Sequence, residues 1–377
     1  PSALRHGRHE SASASARERP GMVLLALCGM ASALHTPTCT VAARWPPSCS
    51  ATPRARPLMQ SVPPAESTLS SARLLKLSLF AGITYGSLAS GASVGKTTGL
   101  KVVAGSVAAT LPGVLDSHLA VSFGYGLAML WIGALFLPAC TGSPSALLAI
   151  AYMAYGLKVV LFQRARDARP DYVAKALAPA RAKQPATASP LARLPFVLSI
   201  GLLLATFSFP LHAAGLARAA GPAAAWGRRA WGVLYGAGVA LFSLLMQTIA
   251  DLQKFKHKAR EGADAPCFGG LWSLTRHPNY LGEIGFQLGI LGAGLSGCTN
   301  IAAVWLSLLA PATFISIMLA ATRSLEARQK ESYGGMPKYQ AYVRSTPRLL
   351  VDWKQVYAAT FRWILPGWIL PGWRRGK

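Results

Sequence analysis

Residues 276–283 read Arg276-His277-Pro278-Asn279-Tyr280-Leu281-Gly282-Glu283 and stand at the mouth of an otherwise apolar segment. They bring a base, an amide, a phenol and a carboxylate together. A carboxylate one turn inside a membrane helix is costly to desolvate, so Glu283 is expected to have a partner or a chemical role. Asn279, Glu283 and Gln287 fall at i, i+4 and i+8, which on a helix is one face. Such a polar stripe faces a cavity or neighbouring helices rather than lipid.

The rest of the chain supplies that membrane setting. Of 377 residues, 52% are hydrophobic and only 14% are charged, against about 25% charged in soluble domains. This is the composition of a polytopic membrane protein. Lys and Arg number 38 against 13 Asp and Glu, a net charge of +25. A nucleic-acid surface would gather those bases on a soluble face or helix. Here they lie between long apolar runs, so no nucleic-acid partner is expected and they read as the basic loops of a membrane protein. The six cysteines form no C-x-x-C pair and have no His at zinc spacing, so free thiols and no metal are expected.

Apolar runs predict an all-α helical bundle of about eight transmembrane spans: 74–94, 99–115, 118–139, 145–162, 194–217, 230–250, 279–297 and 301–322. The Gly-x-x-x-Gly pairs Gly82/Gly86, Gly232/Gly236 and Gly285/Gly289 read as close helix packing. Residues 1–65 read as a leader. From Met22, a plausible start, to Ala65 there is no acid, and Ser, Thr, Ala, Pro and Arg abound, as in an organellar transit peptide. A plastid membrane is the expected location, with the endoplasmic reticulum as the alternative. Residues 66–165 form an amino-terminal group of helices, 166–193 a basic Pro/Ala-rich linker, 194–350 a second membrane domain, and 351–377 a Trp-rich basic tail. Basic stretches at 164–193, 254–260 and 323–348 are each separated by two spans, so all three fall on one side.

Three familiar patterns fail on context. Gly292-Ala293-Gly294-Leu295-Ser296-Gly297 matches G-x-G-x-x-G but reads as the exit of a membrane helix, with no strand before it. Gly91-Ala92-Ser93-Val94-Gly95 has no strand–turn–helix setting for a nucleophile elbow. The P-loop-like run to Thr97 has one residue too few.

Two further polar series survive. Gln247, Asp251, Lys254 and Lys258 are spaced four, three and four apart on one helical face. Arg323, Glu326, Arg328 and Lys330 follow the last span, ahead of Tyr339-x-x-Tyr342-x-Arg344-x-x-Pro347, which reads as an amphipathic helix with its Tyr rings at headgroup level. All three series open to the basic side. A pocket there would offer cations to phosphates, and amides and carboxylates to hydrogen bonds, above an apolar interior able to take a lipid.

These residues resemble the carboxy-terminal domain shared by steroid 5-alpha-reductases and related bacterial and eukaryotic membrane reductases. The resemblance covers roughly residues 247–350. Its core is Gly269-Gly270-Leu271-Trp272-Ser273-Leu274 running into Asn279-Tyr280-Leu281-Gly282-Glu283-Ile284. Arg276-His277-Pro278 and the Tyr339–Pro347 ending are similar to the sterol-reductase and bacterial branches. The resemblance implies an all-helical membrane bundle that binds NADPH from the basic side and reduces an activated carbon–carbon double bond in a lipid. It implies cofactor contacts at Gln247, Asp251, Lys254, Lys258, Arg276, His277, Asn279, Glu283, Glu326 and Arg328. Tyr280 and Glu283 are the expected catalytic pair. The family's His after the last span is absent here. Its early-span Tyr and acid have no evident match: Tyr85, Tyr125, Tyr152, Tyr155 and Tyr235 are candidates by position, and Asp116 is the only acid between Arg73 and Leu161. Two other functions compete. One is an S-adenosylmethionine-dependent methyltransferase of the isoprenylcysteine carboxyl methyltransferase type, which is similar in the Arg-His-Pro-x-Tyr region. The other is a non-catalytic membrane protein.

Overall fold

The computed structural model describes residues 96–182, 190–216 and 227–349, all within one compact unit that spans 63–377. The leader, the span at 74–94, Gly82/Gly86, Tyr85, the motif at 91–95 and the Trp-rich tail lie outside the described residues.

The described residues are helical and contain no strand. Nine helices carry the argument: α1 (Lys96–Thr110), α2 (Ser117–Cys140), α3 (Ser145–Asp167), α4 (Leu194–Ala205), α5 (Ser208–Leu216), α6 (Arg228–Glu261), α7 (Pro278–Gly297), α8 (Ile301–Tyr333) and α9 (Pro337–Ser345). Asp116 caps α2 by accepting from the His118 amide, and Asn300 caps α8 by accepting from the Ala303 amide.

The expected count of about eight spans is met in part. Among the described residues, five segments are long and apolar enough to cross a membrane: α2, α3, α4 with α5 (Pro190–Gly215), α6 and α8. The run at 99–115 is too short, ending in a 3-10 turn at Leu111–Val114. α7 is long enough at 20 residues, but Asn279, Glu283 and Gln287 lower its hydropathy. It packs among α6, α5 and α8. The run at 194–217 breaks at Thr206, whose amide and hydroxyl both turn back to the Leu203 carbonyl.

The basic stretch after α3 is helical from Pro170 to Ala182. Pro170 starts it, and Arg169 fastens it to Asp171 and to the Phe255 and Lys258 carbonyls of α6. α9 also departs from expectation. Tyr339 is buried, and the Tyr342 hydroxyl donates to the Trp272 carbonyl at 2.5 Å. These rings therefore strap the loop before α7 rather than sit among headgroups.

α6 and α7 run antiparallel at very close range. A Cβ on Gly236 would stand 2.4 Å from the Ala293 nitrogen, and one on Gly289 2.5 Å from the Ala240 nitrogen. The Gly-x-x-x-Gly spacing read from sequence is this contact. α2 packs on α3, and α3 on α6, so early and late helices share one core around Tyr155, Phe207, Phe286 and Ile290.

Candidate functional site

The close approach of α6 and α7 stacks their polar residues in rungs. In the lower rung, Glu283 is buried, with 5% of its surface exposed. Its Oε2 accepts from the Tyr155 hydroxyl at 2.7 Å and from Gln247 Nε2 at 2.7 Å. Its Oε1 accepts from Gln287 Nε2 at 2.9 Å and from the Tyr125 hydroxyl at 3.3 Å. Gln287 Nε2 also donates to the Tyr125 hydroxyl at 2.9 Å. Gly282 permits this, since a Cβ there would meet Gln247 Cβ and the Ser243 carbonyl at 2.8 Å. A buried carboxylate is tolerated where donors replace its hydration, and Glu283 has four.

One helical turn higher, Asp251 receives Lys158 Nζ at 2.5 Å on Oδ2 and Asn279 Nδ2 at 3.1 Å on Oδ1. Lys158 lies three residues after Tyr155, so a single face of α3 serves both rungs. Asp251 and Asn279 also form the floor of a cavity of about 520 Å³, whose walls carry Arg166, Arg169, Lys254, Lys258, Tyr280 and Arg328. A neighbouring cavity of about 360 Å³ shares Lys254, Lys258 and Arg328 and adds Arg276, Trp272 and Tyr339.

The loop from 262 to 277 shapes this second cavity. Gly270 turns it with φ +64°, a conformation that favours glycine, and a Cβ there would strike the Gln253 amide at 2.6 Å. Gln253 Oε1 accepts from the Leu271 amide at 3.0 Å, and Trp272 Nε1 donates to the Ala250 carbonyl at 3.1 Å. Arg276 donates its amide to the Pro347 carbonyl and pairs its guanidinium with Glu326 at 3.1 Å. His277 is fully buried and its Nε2 lies 2.6 Å from Glu326 Oε1. Burial holds its imidazole below the ordinary histidine range, although the Glu326 carboxylate pulls the other way.

Most of the residues expected from sequence therefore converge. Gln247, Asp251, Asn279 and Glu283 form the two rungs. Lys254, Lys258, Arg276 and Arg328 line the cavities. Glu326 and His277 bond to each other instead of facing open space. Tyr280 lines the larger cavity and stacks on His277 with ring centroids 5.7 Å apart. The hydroxyls that reach Glu283 are those of Tyr125 and Tyr155. Of the other early candidates, Tyr152 donates to the Phe207 carbonyl and Tyr235 is exposed. Sequence reasoning passed over Lys158, Arg166 and Arg169. A lone Lys inside the apolar run at 145–162 was the available signal for the first. The other two come to the cavity only through the fold.

A family model described as a protein of unknown function, DUF1295, matches residues 117–346. The chain belongs to the DUF1295 family. The matched region runs from the first residue of α2 to just beyond α9 and so includes Tyr125, Tyr155 and Lys158 as well as the late helices. In this DUF1295 protein the site and the family region coincide. No curated protein and no solved structure matches the chain.

Proposed function

We propose that this protein is an NADPH-dependent membrane reductase that saturates an activated carbon–carbon double bond in a lipid of the sterol, isoprenoid or enoyl type. The observation that carries this reading is the Tyr125–Glu283–Tyr155 cluster buried one helical turn beneath a cation-lined cavity. The resemblance of residues 247–350 to steroid 5-alpha-reductase-like membrane proteins supports it further.

The residues present fit a charged dinucleotide. Arg166, Lys254, Lys258 and Arg328 supply cations for a diphosphate and a further phosphate, while Arg169 is paired with Asp171. Gln247 Oε1 and Gln287 Oε1 are buried acceptors without a hydrogen-bond partner among the described residues. Beside Glu283, they suit the N–H donors of a carboxamide. When bound, NADPH supplies the hydride. The protein supplies the proton and the polarisation. The Tyr125 hydroxyl, whose bond to Glu283 is the longer at 3.3 Å, would turn to donate to the substrate carbonyl and draw electrons from the conjugated double bond, while Tyr155 keeps its 2.7 Å bond to Glu283. The carbon next to the electron-poor one would take its proton from the tyrosine–carboxylate cluster. One proton taken from solvent per turnover restores the cluster. Gln247 and Gln287 hold Glu283 in place, and Glu283 orients both phenols. The acid-free leader favours a plastid membrane.

A thermal-shift assay of the detergent-solubilised protein with NADPH, NADH and S-adenosylmethionine tests this. NADPH at 100-fold its Kd should add about 2.7 kcal/mol of stability, and Arg328→Ala should weaken that gain. Stabilisation by S-adenosylmethionine alone would make the protein a methyltransferase. No stabilisation of a folded sample by any of the three would favour a non-catalytic role.

A further inference from the structure

Aromatic rings seal the Glu283 cluster. The Tyr125 and Phe314 ring centroids are 4.6 Å apart, and Phe207 meets Phe314 edge-on at 4.8 Å. Phe286 stacks on Tyr155 at 4.3 Å from the opposite side. Phe207 and Phe286 are fully buried, whereas Phe314 is only partly so. Upward, towards the cationic cavity, Lys158, Asp251 and Asn279 close the way with their own bonds. A lipid's apolar body would have to cross that charged rung if it came from the cavity.

α8, which carries Phe314, is held firmly at two places and loosely between them. Leu306, Ser307, Ala310 and Pro311 are buried at its start. Near its end Thr322 is buried and Glu326 is bonded to Arg276 and His277. From 312 to 321 no residue is buried. Pro311 opens that stretch. It has no N–H for the Ser307 carbonyl, and its ring crowds the preceding turn, which makes a hinge. The Thr313 and Ser316 hydroxyls bond back to the Leu309 and Ala312 carbonyls, a pattern that bends helices. Phe314 is the ring that this loosely held segment places over Tyr125.

We propose that Phe314 is the specificity-determining gate to this site, and that a bilayer-dissolved lipid reaches Glu283 sideways as α8 bows outward at Pro311. The proposal rests on the reductase reading for what the site does with the lipid, but not for the opening itself. Lifting Phe314 forfeits its ring contacts with Tyr125 and Phe207, a modest cost. It uncovers the Tyr125 hydroxyl for the substrate's polar end. The apolar body then lies against Phe207, with its far end still in the bilayer. The cofactor's phosphates would stay in the cationic cavity and only its carboxamide end would pass the Lys158–Asp251 rung to Gln247 and Gln287, so the two reactants approach from different sides.

Labelling tests the opening without any turnover. Full-length protein in lipid nanodiscs carries Phe314→Cys or, as the deep control, Phe286→Cys. A maleimide on a lipid tail is added, and peptide mass spectrometry locates the label. Cys at 314 should react, Cys at 286 should not, and adding Pro311→Ala should slow the reaction at 314 several-fold. Equal inertness of 314 and 286, or labelling at 314 indifferent to Pro311→Ala, would overturn the gate. Kinetics then test specificity. Phe314→Trp should raise KM about tenfold for a bilayer-dissolved enone and leave cyclohex-2-enone unchanged. An equal effect on both enones would also overturn it. If the wild type consumes NADPH with neither enone, the reductase reading fails and the labelling result alone decides the gate.

Discussion

Glu283 accepts four hydrogen bonds, from Tyr125, Tyr155, Gln247 and Gln287. Glu283→Gln keeps the shape but turns one acceptor oxygen into a donor that faces other donors. The variant should fold with a loss of about 1–3 kcal/mol and consume NADPH with a lipid enone at least about 100-fold more slowly. Wild-type turnover in that variant would remove Glu283 from the chemistry. Asp251 poses a different problem, because it compensates the Lys158 ammonium in a pair whose side chains are only 13% and 10% exposed. Asp251→Ala should cost roughly 3 kcal/mol by leaving that charge buried alone. Adding Lys158→Met should recover much of the loss. Melting temperatures of the two single variants and the double variant form the cycle, and strictly additive losses would show that the pair is not coupled.

At the scale of elements, the site depends on how closely α6 and α7 approach. Gly236 and Gly289 each face the partner's backbone within 2.5 Å of where a Cβ would be. Gly289→Val would push the helices apart, as overpacked contacts do, at about 1–3 kcal/mol. It should also lengthen the Gln247–Glu283 bond two turns away. Reduced thermal stability together with weaker NADPH-induced stabilisation is the expected pair of effects. An unchanged melting temperature would show that the contact can be widened freely. Legibility from sequence also divides here. The polar stripe of α7 and the spacing on α6 were readable because a helix repeats every 3.6 residues. The lower apolarity of α7 follows from the same polar residues. That the Tyr339 and Tyr342 rings turn inward was not readable. A short amphipathic helix looks the same whether its apolar face meets headgroups or a loop such as the one holding Trp272.

For the molecule as a whole, the dominant quantity is its +25 charge, part of which is gathered around the two neighbouring cavities. Charge-assisted binding weakens as salt screens it. The NADPH Kd should rise roughly tenfold between low and high ionic strength, while affinity for a neutral enone stays level. A Kd indifferent to salt would mean that the cavity cations do not meet phosphates.

By itself the sequence determined an all-helical membrane protein, the shared face of Asn279, Glu283 and Gln287, the Gly-x-x-x-Gly packing and most of the cationic lining. These features are local: composition, helical period and charge act within a few turns of chain. Only the tertiary structure decided which early phenols meet Glu283, that Lys158 neutralises Asp251, and that Phe314 covers Tyr125. Tyr125 and Glu283 are separated by 158 positions. Five tyrosines satisfied every local criterion equally. Among the described ones, packing of α2 and α3 against α6 and α7 brings Tyr125 and Tyr155 to the carboxylate, because a bond between distant helices depends on helix rotation and depth, which no short window of sequence encodes.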